Sequence, residues 1–170
     1  MEGTGRMVAR VLVAYASKMG SNAEVAEAIA LVLVEAGLEA EVLSVREVKD
    51  LSTYDAVVLG SALYAAHWRR DAHRFVAKRR EVLATKALWL WSSGPLDRIR
   101  ASKNLPPTDN VLEIMGDIPF RGHRTFGGKL DPNAPGVDEQ ILRTHQQGDF
   151  RDWAKIRAYA AEIADALLAG

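Results

Sequence analysis

Residues 11–24 read V-L-V-A-Y-A-S-K-M-G-S-N-A-E. The stretch opens as an unbroken apolar run, Val11 to Tyr15, the pattern of a strand buried on both faces of a parallel sheet. It closes as a helix start. Ser21 and Glu24 have capping-box spacing, just ahead of Val25, Ala26, Ile29 and Leu33 at helical intervals. The turn between them, Ser17 to Asn22, gathers short hydroxyl and amide side chains and backbone N–H groups beside the positive end of a helix dipole, a place suited to a phosphate. It matches neither G-x-x-x-x-G-K-[ST] nor G-x-G-x-x-G. Taken alone, the turn is balanced between an anion site and an ordinary capped turn.

The pattern repeats downstream. Residues 1–8 are a polar lead-in, and residues 9–170 read as one domain. A first helix spans Asn22–Ala36, with Gly37 in the left-handed position that ends it. A second strand, Leu38–Val45, alternates weakly and reads as more exposed. A third, Ala56–Leu59, and a fourth, Ala87–Trp91, are again continuous apolar runs, with at least one of Trp89 and Trp91 packing in the core. A fifth is expected at Arg121–Leu130, with Gly127-Gly128 marking a bulge or a close approach. Between them a helix over Arg70–Leu83 turns Phe75, Val76 and Leu83 inward and Arg74, Lys78, Arg79 and Arg80 mostly outward. Asn110 is placed to cap a short helix, and one helical turn is expected at Gln140–Arg143. The last helix is capped by Asp152 and buries Trp153, Ile156, Ala160, Ile163 and Leu167. For Trp153 and Tyr159, a core role and a homodimer face are both open. Repeated βα units predict an α/β fold with a mainly parallel sheet and helices on both faces. The arrangement expected is a three-layer sandwich around a five-stranded sheet, and in the order 2-1-3-4-5 the loops after the first, third and fourth strands are neighbours.

Composition narrows the function. Lys plus Arg and Asp plus Glu both number 22, so nothing global points to nucleic acid or a membrane surface. The absence of cysteine excludes disulfides, thiolate metal ligands and thiol catalysis. The polar N-terminus has no signal-like apolar segment, which predicts a cytoplasmic protein. No apolar run reaches the ~18–20 residues of a membrane span. His67, His73, His123 and His145 are scattered over separate elements, which argues against a metal site. There is no G-x-S-x-G elbow. The ends of the first and third strands carry Ala16-Ser17 and Gly60-Ser61 rather than the carboxylates of a phosphoacceptor domain. No residue has the context of a catalytic acid or base, and the catalytic residues are unassigned.

Ligands of such sheets bind beyond the carboxyl ends of the strands, where strand order reverses. Three loops meet there. Ser17–Asn22 is phosphate-like, Gly60–Trp68 offers a glycine for close approach and two flat rings, Tyr64 and Trp68, and Ser92–Asp97 is small and polar. An anion cradle beside aromatic faces suits a flat cofactor bearing a phosphate, and FMN meets that description.

The segments Y-A-S-K-M-G-S-N, Y-D-A-V-V-L-G-S-A-L-Y, L-W-S-S-G-P-L and G-D-F-R-D-W-A-K-I-R-A-Y-A resemble the flavodoxin-like family over nearly the whole chain. They are nearest to the branch of flavodoxin-domain proteins that includes the menaquinone-dependent protoporphyrinogen dehydrogenases. The resemblance implies non-covalent FMN. It puts Ser17, Lys18, Met19, Gly20, Ser21 and Asn22 at the phosphate. It puts Ser61, Ala62, Leu63, Tyr64 and Trp68 on one side of the ring, and Ser92, Ser93, Gly94 and Pro95 on the other. The chain departs from the family pattern at Met19, where relatives often have histidine, and at Asn22, where they have threonine. The segment Asp131–Gly148 is also shorter and more polar. The function implied is a flavin-dependent oxidoreductase acting on a redox substrate or quinone. The alternatives are an electron carrier docking to a protein redox partner, and a flavodoxin fold that has lost FMN. The basic run from Arg69 to Arg80 differs from the acidic rim of electron carriers and would stabilise reduced flavin and attract an acidic substrate or partner.

Overall fold

The computed structural model describes residues 8–18, 20–95, 97–133, 137–144 and 147–170; the lead-in at residues 1–7 lies outside these. Elements follow in the order β1 (Arg10–Ala16), α1 (Ser21–Glu35), β2 (Glu39–Ser44), β3 (Ala56–Tyr64), β4 (His67–Trp68), α2 (Arg70–Lys78), α3 (Arg80–Leu83), β5 (Ala87–Ser93), α4 (Arg98–Ala101), α5 (Asp109–Met115), β6 (Gly122–Phe126), β7 (Lys129–Leu130), α6 (Glu139–Thr144), β8 (Gly148–Asp149) and α7 (Trp153–Ala169). Five strands pair in parallel as β2-β1-β3-β5-β6, the order expected from the sequence. The short β4 folds back antiparallel on the end of β3, and β7 pairs with β8 outside the main sheet.

The continuous apolar runs bury both faces of the central strands, because odd and even side chains enter different cores. On one face Leu12, Ala14, Val57, Leu59, Leu88 and Leu90 pack against α2, α3 and α5. On the other, Val11, Val13, Val58, Trp89 and Trp91 pack against α1 and α7. Both tryptophans of β5 are therefore core residues. Tyr159 is core too, its hydroxyl donating to the Leu90 carbonyl at 2.8 Å. Trp153 is half-buried under the Arg151 guanidinium at 4.7 Å from its ring.

The glycine of β3 has a specific packing role. Gly60 is paired with Trp91, and a Cβ at Gly60 would come within 1.9 Å of the indole ring. The sequence suggested Gly60 as a point of ligand approach. In the fold it makes room for Trp91, whose Nε1 reaches Asn22 of α1 at 3.2 Å.

Several local expectations are corrected. The capping box does not form. Helix α1 starts at Ser21 after Gly20 in the left-handed region (φ 81°), and no side chain caps it. Glu24 pairs instead with Arg151. The C-terminal end matches expectation: Gly37 (φ 99°) donates to Val34 and Leu38 donates to Leu33, a complete Schellman motif. The single helix expected over Arg70–Leu83 breaks at Arg79 (φ −119°). Arg79 and Arg80 do not simply face outward. Arg79 donates to the Val48 carbonyl, and Arg80 donates to the carbonyls of Ile114 and Met115 at the end of α5. Thr108, not Asn110, caps α5. The fifth strand ends at Phe126. Gly127 then passes so close to Phe150 that a Cβ would lie 2.0 Å from its carbonyl oxygen, the close approach the Gly-Gly pair suggested. Asp152 caps α7 as expected.

Candidate functional site

Parallel register brings the ends of three strands to one level. Ala16 pairs with Ser61 and Ser61 with Ser92, so the loops after β1, β3 and β5 leave the sheet side by side. Close packing joins two of them, because a Cβ on Gly94 would lie 2.9 Å from Cβ of Leu63.

In the first loop, Ser17 is half-buried and its Oγ accepts weakly from the Asn22 amide at 3.5 Å. Lys18 and Gly20 are exposed and Ser21 is half-buried. Met19 lies outside the described residues. With Gly20 left-handed and no side-chain cap, the amides of Gly20 and Ser21 have no acceptor among the described residues. These are the unsatisfied donors of a helix start, and a Cβ at Gly20 would meet only open space. The turn thus offers what an anion requires.

Asn22, expected at the phosphate, has its side chain inside the fold. It is fully buried, its amide donates to the Ala16 carbonyl at 3.3 Å, and its Oδ1 accepts from Trp91. Its side chain ties β1 to β5 beneath the loop.

The second loop is a tight hairpin. Leu63 pairs with Trp68 and Tyr64 with His67, and the turn residues Ala65 and Ala66 both have positive φ (49° and 66°). Two successive left-handed residues make a turn of the I′ kind, normally built from Asn and Gly. Tyr64 at its tip is 41 % exposed. Ala62 and Leu63 are half-buried. Ser61 is buried, its Oγ accepting from the Arg69 amide at 3.1 Å, which fixes the start of α2 to the end of β3.

Trp68, expected beside the ring, is packed into the fold. It is only 4 % exposed, its Nε1 donates to Ser92 Oγ at 2.9 Å, and its amide donates to Asn110 Oδ1 at 2.9 Å. Tyr64 presents an exposed ring at the hairpin, while Trp68 is packed against Ser92.

In the third loop, Ser92, Ser93 and Pro95 are buried and Gly94 is half-buried. The Gly94 amide donates to Phe126 and the Pro95 carbonyl accepts from Gly128. Ser92 Oγ also lies 3.0 Å from His123 Nε2. Burial, reinforced by Arg124, pushes the His123 pKa down to about 4, so the ring is neutral at pH 7.

Residue identity did not disclose three other contributors. Asn110 orients the Trp68 backbone. His123 completes the chain Trp68–Ser92–His123 under the third loop. Arg151, whose side chain is 4 % exposed, donates to the Ser21 carbonyl and to Glu24 while gripping Asp149. It braces the start of α1 from the far end of the sequence. The motif G-D-F-R-D-W contains it, but nothing local says that it reaches a helix some 130 residues earlier.

No helix among the described residues is long and apolar enough to cross a membrane, and no metal-binding cluster of His, Asp or Glu occurs among them. Comparison with known proteins agrees with this geometry. The chain is similar to protoporphyrinogen IX dehydrogenase [quinone] of Escherichia coli K12, 23 % identical over 172 residues, covering 91 % of this chain and 94 % of the relative. Its fold is similar to a flavodoxin from the domain Archaea (TM-score 0.63, 15 % identity, 93 % of this chain and 98 % of that one). It is also similar to oxidised flavodoxin 1 of Bacillus cereus (TM-score 0.61, 20 % identity, 93 % and 99 %). The family model for the flavodoxin domain matches residues 12–137, most of the sheet and all three converging loops, and the chain belongs to that family.

Proposed function

We propose that this protein binds FMN non-covalently across the ends of β1, β3 and β5 and is a flavin-dependent oxidoreductase. The observation that carries the reading is the convergence of an uncapped helix start, an exposed tyrosine on a rigid hairpin and a buried glycine loop at one edge of the sheet. The residues present fit the cofactor. Ser17, Lys18, Gly20 and Ser21 would hold the phosphate through hydroxyls, backbone amides and one flexible cation. Ala62, Leu63 and Tyr64 would flank the ring on one side, and Ser93 and Gly94 on the other. Bound FMN supplies transfer of electrons or hydride; the chain's own residues bind it, orient it and shape its surroundings. Trp68 and Ser92, locked to each other beneath the loops, keep the site floor dry and fixed.

The curated relative is named for oxidation of protoporphyrinogen IX with a quinone. We extend only the reaction class to this chain: two-electron oxidation of an organic substrate, with electrons passed on to a quinone. The net neutral composition and the arginines beside Tyr64 support an enzyme over an acidic electron carrier.

The test is a titration of the purified protein with FMN and with riboflavin, followed by visible absorbance. FMN is expected to bind at least 100-fold more tightly, because riboflavin has no phosphate for the first loop. Equal affinity, or no binding of either, would remove the reading. Oxidation of an organic donor by quinone without an added partner protein then separates an enzyme from a carrier.

A further inference from the structure

Arginines concentrate on the outer side of the β3–β4 hairpin. A cleft of about 410 Å³ is lined by Arg46, His67, Arg69, Arg70, Asp71 and Arg74, with Tyr64 and Trp68 completing its wall. Asp71 alone is acidic. Its carboxylate bridges the exposed Arg46 (3.1 Å) and the more buried Arg69 (3.2 Å), drawing two guanidiniums from different loops to one point. Arg70 and Arg74 are exposed, stand one turn apart on α2, and have no carboxylate partner among the described residues. Arg79 and Arg80, the other arginines of this run, are committed to backbone carbonyls. Four guanidiniums thus face one carboxylate at the N-terminal end of a helix, where the dipole adds positive potential.

We propose that this cleft holds the anionic group, a carboxylate or a phosphate, of the small organic substrate whose oxidation the flavin would carry out. The proposal rests on the FMN reading for its redox role, since Tyr64 is the wall common to the cleft and the ring site. Two features favour a small anion over an acidic protein surface. The cleft's volume lies in the ~300–1,000 Å³ range of small-molecule pockets, and Asp71 orients the half-buried Arg69 at its edge. Planar guanidiniums grip carboxylate and phosphate oxygens in pairs, which anchors such a group while the rest of the molecule reaches past Tyr64.

The experiment is calorimetric titration of the protein, with and without saturating FMN, using citrate and tripolyphosphate at low ionic strength. The double variant R70Q/R74Q is compared with R124Q, which removes a guanidinium elsewhere. Binding of at least one probe is expected, weakened at least tenfold in R70Q/R74Q and unchanged in R124Q, with FMN affinity and melting temperature within error of the parent. Stronger citrate binding assigns a carboxylate substrate, and stronger tripolyphosphate binding a phosphorylated one. Equal binding by R70Q/R74Q and the parent, or no binding of either probe, overturns the proposal. A parallel titration with poly-glutamate that shows binding where citrate and tripolyphosphate show none overturns it in favour of an acidic protein partner. Anion binding through Arg70 and Arg74 in a protein that refuses FMN keeps the anion site and overturns the flavin role assigned to it, so the two failures are distinguishable.

Discussion

His123 is held neutral by its surroundings. The residue is 8 % exposed, its Nδ1 has no partner among the described residues, and Arg124 adjoins it. Its pKa falls from 6.5 in the unfolded chain to about 4 in the fold. Between those values the unfolded state binds the extra proton, so stability is complete above pH 6.5 and falls as pH drops toward 4. The displacement corresponds to roughly 3 kcal/mol. Denaturant unfolding at pH 7 and pH 4 should therefore show His123→Gln losing about that much less than the parent; an identical loss would mean that His123 does not titrate in this way. At the hairpin, Ala65 and Ala66 hold a conformation that costs an L-residue about 1–2 kcal/mol each. The double substitution Ala65→Asn, Ala66→Gly should raise unfolding free energy by about 1 kcal/mol or more, and a destabilised variant would mean that the turn is not of the I′ kind. Legibility at this scale was uneven. Tyr64 and Trp68 were expected as two flat rings beside the converging loops; the fold exposes Tyr64 and buries Trp68, and the side-chain polar atoms of Trp68 and Asn22 are paired inside the protein. Sequence gives the donor and acceptor types of a side chain. It does not give the partner across the sheet that will use them.

Elements here are positioned by contacts distant in sequence. Helix α1 has no cap of its own, and Arg151 compensates from the segment before α7, bonding the Ser21 carbonyl at 3.2 Å and Glu24 at 3.1 Å. Asp149 fixes the other edge of the same guanidinium at 2.8 and 2.9 Å. Removing so buried a charge leaves two carboxylates without their partner, so Arg151→Gln should destabilise the protein by about 1–3 kcal/mol. In the proposed FMN site Arg151 acts through Ser21, without touching the flavin. The variant should therefore exchange the first-turn amides of α1 faster and bind FMN about tenfold more weakly, while riboflavin affinity stays within twofold. Loss of affinity for both flavins alike would assign Arg151 a purely structural role. The sequence disclosed the five strands of the main sheet, α1 and α7, because apolar runs, Gly37 and Asp152 are local signals, but not β4, α4 or the β7–β8 pair. It missed the break at Arg79 and the uncapped start of α1, because both are decided by long-range bonds: Arg79 to Val48, and Glu24 to Arg151 in place of its own helix.

The whole molecule divides its tasks along the strand direction. The middle of the sheet is apolar on both faces and supplies stability, whereas the loops beyond the carboxyl ends are short and braced by Gly94–Leu63 and Trp68–Ser92 contacts. That division was legible because parallel βα units force all their functional loops to one end, whatever the details of side-chain pairing. A ligand gripped by three of those loops binds only the folded chain, so it must stabilise the whole domain. At a free concentration 100 times its Kd the gain is about 2.7 kcal/mol. For a domain of this size each kcal/mol moves Tm by about 2–4 °C, so FMN should raise Tm by roughly 5–10 °C. Ser21→Asp isolates the phosphate contribution. A carboxylate in the first turn of α1 suits the helix dipole, so the ligand-free Tm should hold or rise slightly. The same charge repels a phosphate, so the FMN-induced shift should vanish at concentrations that saturate the parent. An unchanged shift in Ser21→Asp would move the phosphate away from the first loop, and no shift in the parent at any FMN concentration would remove the cofactor from this fold.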